Sequence, residues 1–259
     1  MKQNTRKAIT PFFLVLLLGT AACSNKDTNT PVVGSALNDI TGMHDETQTR
    51  LSTAANNAIT AGKTKEALGF YSKLYKEDPK NQDTALNYAQ LLRKTGKPEQ
   101  AAKVLSPFVN GRDGELRDTA KPIMLNEYAA ANLELGKYGL AEDALNRVLE
   151  DKKAVRFQAD ADNLLGLVLD AKNQHKEAEQ YYRLALEGWK GDPTAVMNNL
   201  GLCLAAQGMF DESLTMLRQA LIKAPHNTEI AANIKMVSDL RKALVPMAPI
   251  AVTSSPRSN

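Results

Sequence analysis

The sequence has few of the residues that catalysis, metal binding and cross-linking require. Its 259 residues include two cysteines and three histidines, and aromatic residues make up only 5% of the chain. Two cysteines cannot form a disulfide framework. The histidines, His44, His175 and His226, lack the spacing of a metal site, and we expect them to be solvated. We therefore predict no catalytic residue, no metal and no cofactor, and we predict that the chain is not an enzyme.

The chain also has no large excess of basic or acidic residues. It has 32 basic and 29 acidic residues. Three of the basic residues and none of the acidic ones precede Cys23, so the rest of the chain holds 29 of each sign. A formal net charge of zero gives no general attraction to nucleic acid or anionic lipid. We expect no nucleic-acid partner.

The first 23 residues have the order of an export signal. Basic residues precede a short apolar run from Phe12 to Leu18, and small residues then lead to Cys23. The run is too short for a stable membrane span. The segment resembles a bacterial lipoprotein signal, which implies a signal peptide at 1–22, acylation of Cys23 and, with Ser24 next, sorting to the outer membrane. The alternative is a cut after Ala22 that releases a soluble periplasmic protein.

Two stretches of the chain are nearly the same. Residues 163–187 align without a gap with residues 198–222, a displacement of 35 residues that indicates an internal repeat. A small turn residue recurs through the chain at Gly62, Gly96, Gly136, Asn173 and Gly208. Five residues later stand Ala67, Ala101, Ala141, Ala178 and Ser213, and four beyond those stand Tyr71, Leu105, Leu145, Tyr182 and Leu217. Small and large residues at i and i+4 share one helix face, so each unit is predicted to be a pair of packed antiparallel helices.

These residues resemble the tetratricopeptide repeat (TPR) family. The last unit matches best, with Leu200, Gly201, Gly208, Ala220 and Pro225. The resemblance implies an all-α fold, a right-handed superhelical solenoid of TPR helix hairpins with a C-terminal capping helix. We place repeats at 48–81, 82–115, 122–155, 159–192 and 194–227 and the capping helix at 228–242, which gives a TPR domain of 48–242. We predict a flexible linker at 23–47 and a disordered Pro/Ser tail at 243–259.

Other distinctive residues have structural explanations. Cys203 lies within an apolar run on a first helix, where a small buried side chain is favoured over a nucleophile. Tyr182 has a packing position in the repeat, and Trp189 is expected at a junction between units. Residues 110–121 form an insertion, which is either a tolerated surface loop or a lip over the binding groove.

A polar groove is the predicted binding surface. In TPR arrays the first helices line the concave side, and mapping that pattern onto this chain puts nine polar residues there or close by: Asn56, Asn87, Gln90, Arg93, Asn126, Asn163, Asp170, Asn198 and Asn199. Amide side chains donate and accept hydrogen bonds, which suits a peptide backbone or a partner helix. The alternative is that such residues serve the repeat locally, as Asn199 does before Leu-Gly.

The combination of Cys23 and five repeats most resembles the TadD-type TPR lipoproteins of the tight-adherence (Flp) pilus system. The resemblance implies a pilotin-like scaffold, an outer-membrane lipoprotein facing the periplasm. Its partner would be a secretin or another pilus-assembly component, and the chain would contact the membrane through its N-terminal lipid. The alternatives are an adaptor of peptidoglycan enzymes or another envelope-assembly complex, and a processing enzyme.

Overall fold

The computed structural model of this chain describes residues 44–244. The predicted signal peptide, the Cys23 lipidation site, nearly all of the predicted linker and the tail from residue 245 lie outside the described residues. The described part consists of eleven α-helices and one isolated bridge between Asn110 and Leu116. The helices are α1 (His44–Thr60), α2 (Thr64–Glu77), α3 (Gln82–Lys94), α4 (Pro98–Val109), α5 (Pro122–Glu134), α6 (Tyr138–Glu150), α7 (Val155–Ala171), α8 (His175–Gly188), α9 (Thr194–Ala206), α10 (Phe210–Lys223) and α11 (Thr228–Leu244).

Consecutive helices pair as five hairpins, and α11 follows the last of them. We call α1, α3, α5, α7 and α9 the first helices and α2, α4, α6, α8 and α10 the second helices. This arrangement confirms the predicted all-α solenoid with a capping helix. Three helices are longer than the repeat phase predicted: α1 begins at residue 44, α7 begins at residue 155, and α11 continues to residue 244.

Each hairpin turns at a residue with left-handed backbone. Gly62, Gly96, Gly136 and Gly208 have φ between 69° and 79°, and Asn173 has φ of 60°. Glycine adopts this conformation without a steric penalty, and asparagine tolerates it better than most residues. The five turn residues therefore reverse the chain in the same way in every hairpin.

The helices of a hairpin pack closely where the first helix has a small residue. A Cβ atom added to Gly166 would lie 2.6 Å from the ring of Tyr182, and one added to Gly201 would lie 2.7 Å from Leu217. Both large side chains are completely buried. The small-and-large pairs found in the sequence are therefore the contacts that close the hairpins.

Contacts between hairpins are made only by neighbours. Each second helix contacts the first helix that follows it. First helices also approach one another across hairpins, α3 with α5, α5 with α7 and α7 with α9, and α9 likewise approaches α11. The backbones of second helices in the described part of the chain stay farther apart, and α8 and α10 are linked by an ion pair between Arg183 and Glu212. The side on which neighbours are closer is the inside of a curve, so the first helices form the inner, concave side.

The capping helix α11 covers the last hairpin with two buried side chains. Ile230 packs with Met197 and Ala220, and Val237 packs with Phe210 and Leu217. A repeat array needs such a cover because its last apolar face has no further unit to bury it.

The insertion at 110–121 lies against the following hairpin. Asp118 forms an ion pair with Arg147 of α6, and the side chain of Asn110 donates to the Tyr128 hydroxyl at 3.2 Å. Since α6 is a second helix, the loop is anchored on the outer side. The structure does not place it as a lip over the inner side.

None of the described helices has the length and apolarity that a membrane span requires.

Candidate functional site

Hydrogen bonds between first helices run along the inner side. Asn199 donates to the side chain of Asn163 at 3.1 Å, and Asn233 of α11 donates to that of Asn198 at 2.9 Å. Asn126 donates to the backbone carbonyl of Phe157 at 3.0 Å. Each bond joins two consecutive units, so these amides tie the array together.

This finding corrects part of the predicted groove. Asn126, Asn163, Asn198 and Asn199 are at most 7% exposed, because the next first helix covers them. Residues about 35 apart occupy equivalent positions on successive first helices, where they meet each other. Four of the positions that the TPR pattern assigned to the groove therefore form these ties.

Arg93 is likewise engaged within the array. Its guanidinium donates to both carboxylate oxygens of Glu127, at 2.6 and 3.2 Å, and to Glu134 at 2.9 Å. Glu127 is only 7% exposed, and burial raises its pKa while Arg93 opposes the rise. The cluster joins α3 to α5, so Arg93 is a structural residue rather than an open cation.

Asp170 is also committed to internal contacts. One of its carboxylate oxygens accepts from the Tyr182 hydroxyl at 2.9 Å, and the other lies 2.8 Å from Nδ1 of His175. The prediction that His175 is merely solvated was therefore wrong, because it pairs with a buried carboxylate. The cluster fixes the α7–α8 hairpin.

Cys203 is a buried structural residue, as predicted. It is 1% exposed, and its thiol donates to the backbone carbonyl of His175 at 3.1 Å. Burial, with a smaller contribution from nearby Asp170, raises the pKa of the thiol. A protonated, buried thiol is a poor nucleophile. Within residues 44–244 no group of histidine, cysteine, aspartate and glutamate could hold a metal ion.

The other three predicted groove residues lie near the N-terminal end of the array and do not bind the next unit. Asn56 is exposed and accepts from the Tyr71 hydroxyl at 2.9 Å, so one of its polar groups is used inside the first hairpin. Asn87 and Gln90 of α3 are half-buried, and neither amide side chain has a hydrogen-bond partner in the described part of the chain. They are the predicted residues that can pair with a bound polypeptide.

An apolar strip occupies the other end of the inner side. Leu167, Leu202 and Met236 each lie about one helical turn beyond a tied asparagine, on α7, α9 and α11, and therefore share the inner face. The leucines are half-buried and Met236 is 37% exposed. Sequence analysis missed this strip, although its members recur at intervals of 35 and 34 residues.

We call Asn87, Gln90 and the strip of Leu167, Leu202 and Met236 the inner groove. It is polar near the N-terminal end and apolar near the C-terminal end. Stacked helix hairpins with a concave, partly apolar inner side define a helical-repeat scaffold for binding other proteins.

The chain contains tetratricopeptide repeats. Tetratricopeptide repeat family models match residues 58–109 and 157–222. The first match runs from the end of α1 to the end of α4, and the second covers the fourth and fifth hairpins. TPR domains mediate binding to protein partners.

Two of the solved structures that are similar to this chain share its fold, those of a Thermus thermophilus and a Parabacteroides merdae protein. A thermophilic TPR protein of Thermus thermophilus is 18% identical, with coverage of 74% of this chain and 98% of that one and a TM-score of 0.60. A tetratricopeptide repeat protein of Parabacteroides merdae ATCC 43184 is 17% identical, with coverage of 75% and 73% and a TM-score of 0.53. The MamA protein is 26% identical, with coverage of 71% and 96% and a TM-score of 0.49. A comparison with curated proteins gave no significant match.

Proposed function

We propose that the inner groove holds a helical segment of a protein partner. The observation that carries this proposal is the apolar strip, which leaves Leu167, Leu202 and Met236 partly exposed on three consecutive units of the inner side. Exposed apolar residues in a row mark an interaction surface more often than scattered ones do. The free amides of Asn87 and Gln90 would pair with polar groups at the other end of the segment.

The spacing of the strip suits an amphipathic helix. Packed helix axes lie about 8–10 Å apart, so neighbouring strip residues are separated by roughly that distance. Residues seven apart on an α-helix are about 10 Å apart along its axis and share a face. A partner helix with an apolar residue at every seventh position would therefore meet Leu167, Leu202 and Met236 in turn.

We also propose that the protein is exported and anchored to the outer membrane by a lipid. The basic residues, the run from Phe12 to Leu18 and Cys23 support export and lipid anchoring, with the repeat array in the periplasm at the outer membrane. Two acyl chains bind a membrane far more stably than one. Replacing Cys23 with serine should release the protein from the membrane fraction and abolish incorporation of labelled palmitate. A wild-type protein that incorporates no labelled palmitate, or a serine variant that still incorporates it, would refute acylation of Cys23.

We further propose a role in pilus assembly of the tight-adherence (Flp) type, in which the array binds a secretin or another assembly component. The support is the resemblance of the Cys23 signal and the five-repeat plan to TadD-type lipoproteins. An adaptor of peptidoglycan enzymes would use the same groove, and it remains the second candidate.

The test uses affinity purification from detergent-solubilised membranes. Recovery of the pilus secretin with the wild-type protein supports the pilus role, and recovery of cell-wall hydrolases or synthases supports the adaptor. Leu167→Glu with Leu202→Glu should abolish the recovery. The matched control is Leu184→Glu with Ile222→Glu, because those residues are 49% and 77% exposed on second helices. Equal loss in both pairs, or in neither, would refute the groove as the binding surface.

A further inference from the structure

A second surface feature lies on the outer side, between the first two hairpins. The backbones of α2 and α4 do not approach each other closely, and a cleft of about 610 Å³ opens between the two helices. Buried Leu92 and Val104 form part of its floor, and Pro107 lies at one edge. This volume is within the range of natural ligand sites.

Two tyrosines form an aromatic wall in this outer cleft. The rings of Tyr75 and Tyr88 lie 5.6 Å apart at an angle of 35°. Neither hydroxyl has a hydrogen-bond partner within residues 44–244, whereas the Tyr71 hydroxyl binds Asn56. Burial of Tyr75, with a smaller effect of Tyr88, raises the pKa of its hydroxyl, which therefore stays a donor at neutral pH. The wall combines apolar ring faces with two free donors.

Two lysines complete the cleft, one on each helix. Lys76 of α2 and Lys103 of α4 line it, and both are exposed. Neither forms an ion pair in the described part of the chain, and no acidic side chain lines the cleft. The surface is therefore apolar at its floor and positive at both rims. It is complementary to a ligand with a ring or apolar side chain between two negative charges.

A proline inside α4 leaves one backbone acceptor without its usual helical donor. Pro107 lies inside the helix and has no N–H, so the carbonyl of Lys103 loses its α-helical donor. Among the other described helices only α5 contains a proline, at its first turn, where no bond is lost. The free carbonyl and the free tyrosine hydroxyls together can pair with the main chain of an extended peptide.

The geometry points to a second binding site in the outer cleft, for an extended segment of a partner protein that carries proline or leucine between two acidic residues. Proline-rich segments dock in aromatic-lined grooves because their extended conformation costs little entropy. Acidic residues four apart in such a segment are separated by about 12 Å. Lys76 and Lys103 lie on different helices that line the cleft, so the two carboxylates of the segment are proposed to face one helix each. This site is independent of the inner groove.

The test is a titration of the full-length protein with a defined probe. A fluorescein-labelled Glu-Pro-Leu-Pro-Glu peptide should bind with a dissociation constant of the order of 100 µM by fluorescence anisotropy. The same peptide with lysine in place of glutamate should not bind. Leu202→Glu, in the inner groove, should leave binding of the acidic peptide unchanged, which separates this site from the proposed groove.

Charge reversal locates the site. Lys76→Glu with Lys103→Glu should weaken peptide binding roughly tenfold or more, because both attractive charges become repulsive. Lys73→Glu with Lys97→Glu makes the same change on exposed, unpaired residues outside the cleft and should change the affinity less than about twofold. Thermal melts of both variants should match the wild type.

Three results would overturn the assignment. The first is absence of binding by the acidic peptide, and the second is equal binding by the lysine peptide. The third is binding of phosphatidylglycerol vesicles that depends on Lys76 and Lys103 while the peptide does not bind, because the cleft would then be a lipid site.

Discussion

The replacement of Gly166 by alanine tests how the hairpins close. The added Cβ would lie 2.6 to 2.9 Å from three ring atoms of Tyr182. The ring cannot turn aside, because it is completely buried and its hydroxyl donates to Asp170. We therefore expect α7 and α8 to separate slightly or the hydrogen bond to lengthen.

The change in the free energy of unfolding of Gly166→Ala is the sum of opposing effects. Alanine is favoured over glycine in a helix by about 1 kcal/mol. Overpacking a core costs about 1–3 kcal/mol, and a weakened buried hydrogen bond adds about 1 kcal/mol or more. The net expectation for Gly166→Ala is a loss of about 2 kcal/mol, which corresponds to a fall in Tm of roughly 4–8 °C for a domain of this size.

Gly69→Ala is the matched control. Gly69 is also a glycine inside a helix, α2, but no atom lies within 4 Å of the position that an added Cβ would take, and its φ is not positive. Only the helix preference then operates, and we expect a gain of about 0.5–1 kcal/mol. The same chemical change should thus have opposite signs at the two positions.

Urea denaturation followed by far-UV circular dichroism measures both variants. Gly166→Ala combined with Tyr182→Leu should lose less stability than the sum of the single changes, because the smaller side chain relieves the clash. If Gly166→Ala is as stable as the wild type, or if the double variant shows no coupling, close packing at Gly166 does not hold the hairpin.

Three further predictions concern buried charged and polar groups. Arg93→Met should destabilise the protein by about 3 kcal/mol, because Glu127 is left buried without its cation. The double variant Arg93→Met with Glu127→Met should recover most of that stability, because no unpaired charge remains at position 127. Equal urea midpoints for the single and the double variant would contradict this prediction. Burial raises the pKa of Asp162 from 3.8 to about 6, so the folded state binds more protons than the unfolded state between these values and stability falls as pH rises through them. Asp162→Asn should therefore be more stable relative to the wild type at pH 7 than at pH 4, and a constant difference in urea midpoint would refute the shift. The buried Cys203 thiol should react with a thiol reagent slowly in the native protein and completely in denaturant, and rapid native reaction would show that it is accessible.

The fold could be predicted from sequence because its determinants are local. A turn residue, then a small and a large residue at fixed distances, specifies each hairpin, and all five predicted turn residues lie between the two helices of a hairpin with left-handed backbone. The lengths of α1, α7 and α11 could not be predicted in the same way. The extra turns lie outside the repeated pattern, where only packing decides how far a helix continues.

The binding surface was harder to predict. A polar residue on the edge of a first helix can face a ligand or the next first helix, and the sequence does not distinguish the two. Asn163 and Asn199 proved to bind each other, while Asn87 and Gln90 remained free. Leu167 and Leu202 were overlooked because apolar residues on a helix are ordinarily assigned to the core. The lipid anchor and the pilus role stay predictions.

The junction between the first and second hairpins differs from the other junctions of the array. The apolar cluster of the first hairpin also includes Leu91 of α3, and Leu68 and Tyr88 pack against both this cluster and the main one. Within residues 44–244, α1 and α3 are not in contact, unlike the later pairs of successive first helices, so a small rotation at this junction would move the first hairpin as a unit. The outer cleft lies across the same junction. A segment wedged between α2 and α4 would therefore fix the angle at which the N-terminal hairpin, and whatever is attached ahead of it, projects from the rest of the molecule.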